Sequence, residues 1–198
     1  MPPTARAART LRWLLWPTAA VATLALVGQA SYASFSAKVS NTGNTFSVGS
    51  VTLTDDDAGS ALLSLTNLKP GSSGTRCIAV TSSGTVPSVV KLYATDVAVT
   101  KGLSTYINLT INQGTGATFG GCTGFTPLSS GAQLYNGTLA GFTGSATSYA
   151  NGAGLWGPSG NAAETRSYHF AYSVSGSTPD TAQGGTAAFG LTWEAQST

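Results

Sequence analysis

Five separate runs of this sequence alternate apolar and polar residues with a period of two. "TRCIAVTSSGT" sets Ile78 and Val80 on one face and Cys77 and Ala79 on the other. "PSVVKLYATDVAV" aligns Val90, Leu92 and Ala94, and "YINLTI" aligns Ile107, Leu109 and Ile111. "RSYHFAYSV" aligns Tyr168, Phe170, Tyr172 and Val174, and "TAAFGLTWEA" aligns Phe189, Leu191 and Trp193. Successive side chains point to opposite faces only in a strand, so the pattern demands half-buried β-strands. Between the runs lie turn clusters such as "DDDAGS" and "KPGSSG", where Pro70 presets φ and Gly71 tolerates positive φ. Shorter runs, "TFSVGSVTL" with a phase switch and expected bulge at Gly49, and "ALLSLTNL", add to the count. The reading is an all-β chain, an antiparallel β-sandwich of jelly-roll or immunoglobulin type with about seven to nine strands and no helix beyond the N-terminal leader. Residues 114–161, rich in Gly, Ser, Thr and Asn, read as long loops with one short edge hairpin around "AQLYNGTLAGF".

The N-terminus has a different character. Arg6, Arg9 and Arg12 precede an apolar run from Trp13 to Val27 that Pro17 interrupts. Small residues follow, with Ser31 and Ala33 spaced as in a signal-peptide cleavage site. The 15-residue run is short of the roughly 20 residues that span a bilayer as a helix. Residues 1–33 are therefore expected to be a signal peptide, cut between Ala33 and Ser34 by a signal peptidase. That leaves 34–198 as one secreted domain with no sorting motif in its closing "LTWEAQST". A retained leader would be the only membrane contact. Cleavage removes three arginines and turns the formal charge from +2 to −1. With no basic patch left, nucleic acid is not an expected partner. Only 8% of residues are charged, so few charges guard strand edges against pairing with other chains.

The two cysteines, Cys77 and Cys122, both lie beyond the leader. In an oxidising compartment they are expected to form one disulfide. No tryptophan lies between them, which argues against an antibody-type domain. Two cysteines without a histidine nearby in sequence are too few ligands for a metal, and no cofactor is expected.

"SYASFSAKVSNTGNTFSVGSVTLTDDD" resembles the start of the TasA/camelysin group of exported bacterial proteins, at Tyr32, Ala33, Ser34, Phe35, Asn44, Phe46, Gly49 and Leu53. "LSLTNLKPGSSGTRCIAVTSSGTVPSVVKLYATD" is similar to the hairpin region of that group, at residues 67–71, Ile78, Val80 and Gly84. The likeness covers about residues 28–96. It implies a jelly-roll-like sandwich, a dedicated type of signal peptidase and a role outside the cell. Some members build biofilm matrix fibres, in which an N-terminal strand of one subunit completes the sheet of the next. Others carry a metalloprotease label. The cysteine pair and the charge-poor start of the mature chain depart from the group.

The segment 34–45, with Phe35, Ala37 and Val39 alternating, is the candidate donor strand for self-association into filaments. Its plainer reading is an ordinary first strand. Asp55, Asp56 and Asp57 are the only acidic run; they lack EF-hand spacing and read as a solvated turn rather than a calcium site. His169 is the only histidine, so an H-E-x-x-H zinc site cannot be built; a serine triad would also need His169, but there is no G-x-S-x-G elbow and Ser167 beside it cannot face it along a strand, so no catalytic residue is expected. Trp156, in "AGLWGPSG", is either a contact residue or cover for the end of the core. Sequons stand at Asn108 and Asn136. The function expected is structural, at the cell surface or in a matrix. The alternative is a monomeric binding module for a glycan or protein, built on Trp156 and the 114–161 loops.

Overall fold

A computed structural model of the chain describes residues 49–63 and 68–198. The expected strand at residues 45–48, the donor segment and the leader lie outside the described residues. Among the described residues there are nine strands and one α-helix. Strands β1 (Leu53–Asp55), β2 (Ser73–Ser82), β8 (Glu164–Val174) and β4 (Ile107–Thr115) run in that order across one antiparallel sheet. The outer edge of β4 is shared by two short strands, β5 (Thr126–Pro127) and β6 (Gln133–Thr138). The second sheet is β7 (Ala153–Trp156), β3 (Ser88–Val99) and β9 (Ala187–Ser197). The chain changes sheet at β2 to β3, β3 to β4, β6 to β7, β7 to β8 and β8 to β9, so the inner faces of both sheets enclose one core.

The alternation read from sequence decides what enters that core. Ile78 and Val80, Val90 and Leu92, Leu109 and Ile111, and Tyr168 and Phe170 are all buried. Their strand neighbours point outward. Trp193 on β9 meets Tyr168 at 5.2 Å and Phe170 at 6.3 Å, joining the sheets through tilted and edge-on aromatic contacts. The "KPGSSG" turn forms as expected: Gly71 has φ 84° and the Ser72 N–H donates to the Lys69 carbonyl.

Three expectations are corrected. Residues 49–52 form no strand and no bulge; regular pairing begins at Leu53. A helix does occur beyond the leader: α1 (Leu139–Ser145), capped by Thr138, whose hydroxyl accepts from the Gly141 N–H. At seven residues it is too short for a period of 3.6 to register. The 114–161 segment is also not mostly loop. It holds β5, β6, α1 and β7, and it supplies Leu139, Phe142, Ala146 and Trp156 to the core. A few large side chains spaced along a polar background are enough, because the sandwich brings the rest of the core to them.

Phe170 is fully buried and meets Trp193 of the smaller sheet edge-on. Phe170→Ala is expected to lower stability by about 3–5 kcal/mol, read by denaturant unfolding as a lower midpoint with an unchanged slope.

Candidate functional site

Two places concentrate the features singled out in the sequence. The first is the outer face of the larger sheet. Cys77, Ser167 and His169 point away from the core, because Ile78, Tyr168 and Phe170 point into it. The chain after β4 folds back over this face. Gly116 makes the reversal: its φ is +88°, and a Cβ there would collide with the Gly124 carbonyl oxygen. The returning loop is pinned at several points. Cys122 is joined to Cys77 by the expected disulfide, with Cα atoms 5.2 Å apart. The Ser167 hydroxyl donates to the Ala117 carbonyl (2.9 Å) and accepts from the Ala117 N–H (3.2 Å). The Gly120 N–H donates to the Cys77 carbonyl, extending the sheet edge where β1 has ended.

Asp56 is the remaining pin, and here the solvated-turn reading needs amending. The aspartates do form a turn, with Asp57 accepting from the Gly59 N–H. Yet the Asp56 carboxylate bridges two chain segments, accepting from the Ala79 N–H (2.9 Å) on β2 and from the Phe119 N–H (2.7 Å) in the loop. Charge-assisted bonds of this kind are stronger than neutral ones. Neighbouring Asp55 is pushed above the usual carboxylate range by burial and by its hydrogen bond to Asp57.

His169 sits opposite Cys77 in the β2–β8 register and stacks on Phe125, ring centroids 5.1 Å apart. The two sulfurs and an imidazole nitrogen all lie within 4.8 Å of one another. The expectation that the cysteines have no histidine near them is thus overturned. They are far apart in sequence, and only the antiparallel register reveals the neighbourhood. No carboxylate joins the group among the described residues.

The second place is the free edge of the smaller sheet. Strand β9 pairs with β3 alone among the described residues. None of its 11 residues is buried, whereas β3 buries Ser88, Val90, Leu92 and Ala94. Its start borders a cleft of about 730 Å³ between the sheets, floored by Leu68, Ile107, Leu109, Tyr172 and Val174, with Phe189 at the β9 side. Glu194 is the only charge on β9; its carboxyl is held below the usual range by donors from Gln196 and Tyr93.

Trp156 is 4% exposed and Arg166 lies across its ring, the guanidinium carbon 5.5 Å from the centroid. It is cover for the core, and its ring is not presented for contact; the exposed neighbour is Leu155. Asn108 and Asn136 are exposed on β4 and β6. Phe35, Ala37, Val39 and the Ala33–Ser34 junction lie outside the described residues. No helix among the described residues is long and apolar enough to cross a membrane.

The family model described as camelysin metallo-endopeptidase matches residues 17–106. No curated protein matches the chain. The matched segment runs through β3 and stops before β4, so Cys122 and His169 lie outside it. The donors present do not fit a hydrolytic metal centre. The chain has one histidine, its two cysteines are bonded to each other, and no carboxylate stands with them as a base.

Two outcomes follow from these contacts. Asp56→Ala removes both bridging bonds and is expected to cost about 1.5–3 kcal/mol, seen as a lower unfolding midpoint and faster proteolysis within residues 116–125. Glu164 accepts from the Ser159 hydroxyl and N–H, which together with Arg166 hold its carboxyl below the usual range. Its contribution to stability is present above the ordinary carboxylate range and is lost as pH falls through the lowered value. Ser159→Ala should raise the Glu164 midpoint in a pH titration followed by carboxyl-carbon NMR.

Proposed function

We propose, on the match of the camelysin family model to residues 17–106, that the chain is a member of that family and a non-catalytic structural protein of the cell surface or extracellular matrix. Copies join by strand addition. Residues 34–45 of one copy, with Phe35, Ala37 and Val39 facing inward, lie along the β9 edge of the next. Main-chain hydrogen bonds supply the affinity and the apolar cleft beside Phe189 supplies pockets.

The observation that carries this reading is the state of β9. It is long, almost uncharged, paired on one side among the described residues and half-exposed throughout. Edges of this kind are normally shortened, charged or covered, because their unpaired N–H and C=O groups template further pairing. A head-to-tail contact between an N-terminal segment and a remote edge is heterologous, so it propagates into a filament rather than closing. The alternative, a glycan- or protein-binding module, loses its main support with the burial of Trp156.

The test uses the chain from Ser34 to Thr198 beside a variant lacking residues 34–43. The longer chain is expected to give filaments in negative stain and a mass that rises with concentration in light scattering. The shortened chain is expected to stay monomeric with an unchanged circular dichroism spectrum. A synthetic peptide of residues 34–45 should bind the shortened chain and raise its melting temperature with peptide concentration. A longer chain that is monomeric at every concentration, together with a peptide that does not bind, would refute strand addition.

A further inference from the structure

From the geometry beneath the 115–125 loop we infer a second, redox-gated function: with its cysteines reduced, the chain binds one borderline-soft metal cation of the zinc type through Cys77, Cys122 and His169. Three observations converge. The three donor atoms lie within 4.8 Å of one another. They come from three separate places, strand β2, the covering loop and strand β8, so that the fold and not local sequence assembles them. The His169 Nδ1 is buried and has no hydrogen-bond partner among the described residues. A buried, unsatisfied ring nitrogen is costly, and a cation at this point would occupy it.

The chemistry of the donors selects the ion. Two thiolates and an imidazole suit zinc and other borderline-soft cations, and are poor ligands for calcium or magnesium. On one tetrahedral zinc, two thiolates stand roughly 3.8 Å apart, with zinc–sulfur and zinc–nitrogen bonds of about 2.3 and 2.0–2.1 Å. The sulfurs must move apart from bonding distance by roughly 1.7 Å. Cys122 is on the loop rather than in a strand, so rotation of its side chain and a small shift of the loop supply that movement. His169 is held in place by its strand and by the Phe125 ring. Solvent takes the fourth position.

Binding and disulfide formation exclude each other because they use the same sulfurs. Loading releases two protons as the two thiols become zinc-bound thiolates. Discharge requires an external disulfide as oxidant. One thiolate attacks it to form a mixed disulfide and releases the first external thiol. The second thiolate then displaces the other, leaving the Cys77–Cys122 bond, two reduced external thiols and free zinc. The two protons taken up by the departing thiols balance those released on loading.

The test compares two forms of the same folded chain. Protein treated with dithiothreitol and desalted without oxygen is titrated with Zn²⁺ against a chromophoric chelator, and with Co²⁺ by absorption. The reduced form is expected to take one equivalent and to show thiolate-to-cobalt charge transfer with tetrahedral d–d bands. The disulfide form should take none. His169→Ala is expected to weaken zinc binding by at least roughly 100-fold in the reduced form, while its disulfide form melts like the unchanged protein. If the reduced chain loses structure, the readout is its melting temperature, which zinc should raise in the unchanged chain and not in His169→Ala. No stoichiometric uptake, or equal uptake by both forms or by His169→Ala, would overturn the inference.

Discussion

The packing of Tyr168 and Phe170 against Trp193 is the contact on which the rest of the molecule depends. β8 is the middle strand of the larger sheet, hydrogen-bonded to β2 on one side and β4 on the other. Its inward residues Tyr168 and Phe170 meet the smaller sheet at Trp193 on its edge strand β9. Trp193 belongs to β9, which is held by β3 through backbone pairing and by these rings through its inner face. The same arrangement leaves the far side of β9 without a partner among the described residues. The strand is thus fixed in position while its edge stays open, which is the combination an acceptor for another strand requires.

The outer face of β8 carries a separate set of duties. Alternation that sends Tyr168 and Phe170 inward sends Ser167 and His169 outward, beneath the loop that Cys122 and Asp56 fasten down. One strand therefore supplies both the join between the sheets and the floor of the cysteine–histidine cluster. The disulfide closes a 45-residue separation, worth up to about 4 kcal/mol in the chain-entropy view. The bonds made by Ser167, Asp56 and Gly120 give the loop anchorage that does not depend on the sulfurs. The proposed dithiol site relies on that anchorage.

Much of the fold was legible in the sequence. Period-two alternation named the inward residues of β2, β3, β4 and β8 because a strand half-buried in a sandwich leaves that mark in its sequence. The turn at Pro70 and Gly71 was readable for the same local reason. Helix α1 and strand β7 were not, since seven and four residues carry no resolvable period. Trp156 looked presentable on its glycine-rich background, and only its pairing with Val90 puts it in the core. The meeting of His169 with Cys77 depends on register between strands separated by most of the domain, and no spacing rule encodes that. Asp56 was misjudged because its value lies in which N–H groups the fold brings to it.

The most direct test of the account is hydrogen–deuterium exchange across β9 in the Ser34–Thr198 chain, at concentrations below and above assembly. The account predicts that amides between Ala187 and Ser197 exchange markedly more slowly above it, as the open edge gains a strand, while the already paired β8 amides change little. Unchanged exchange in β9, or protection confined to another edge, would contradict it.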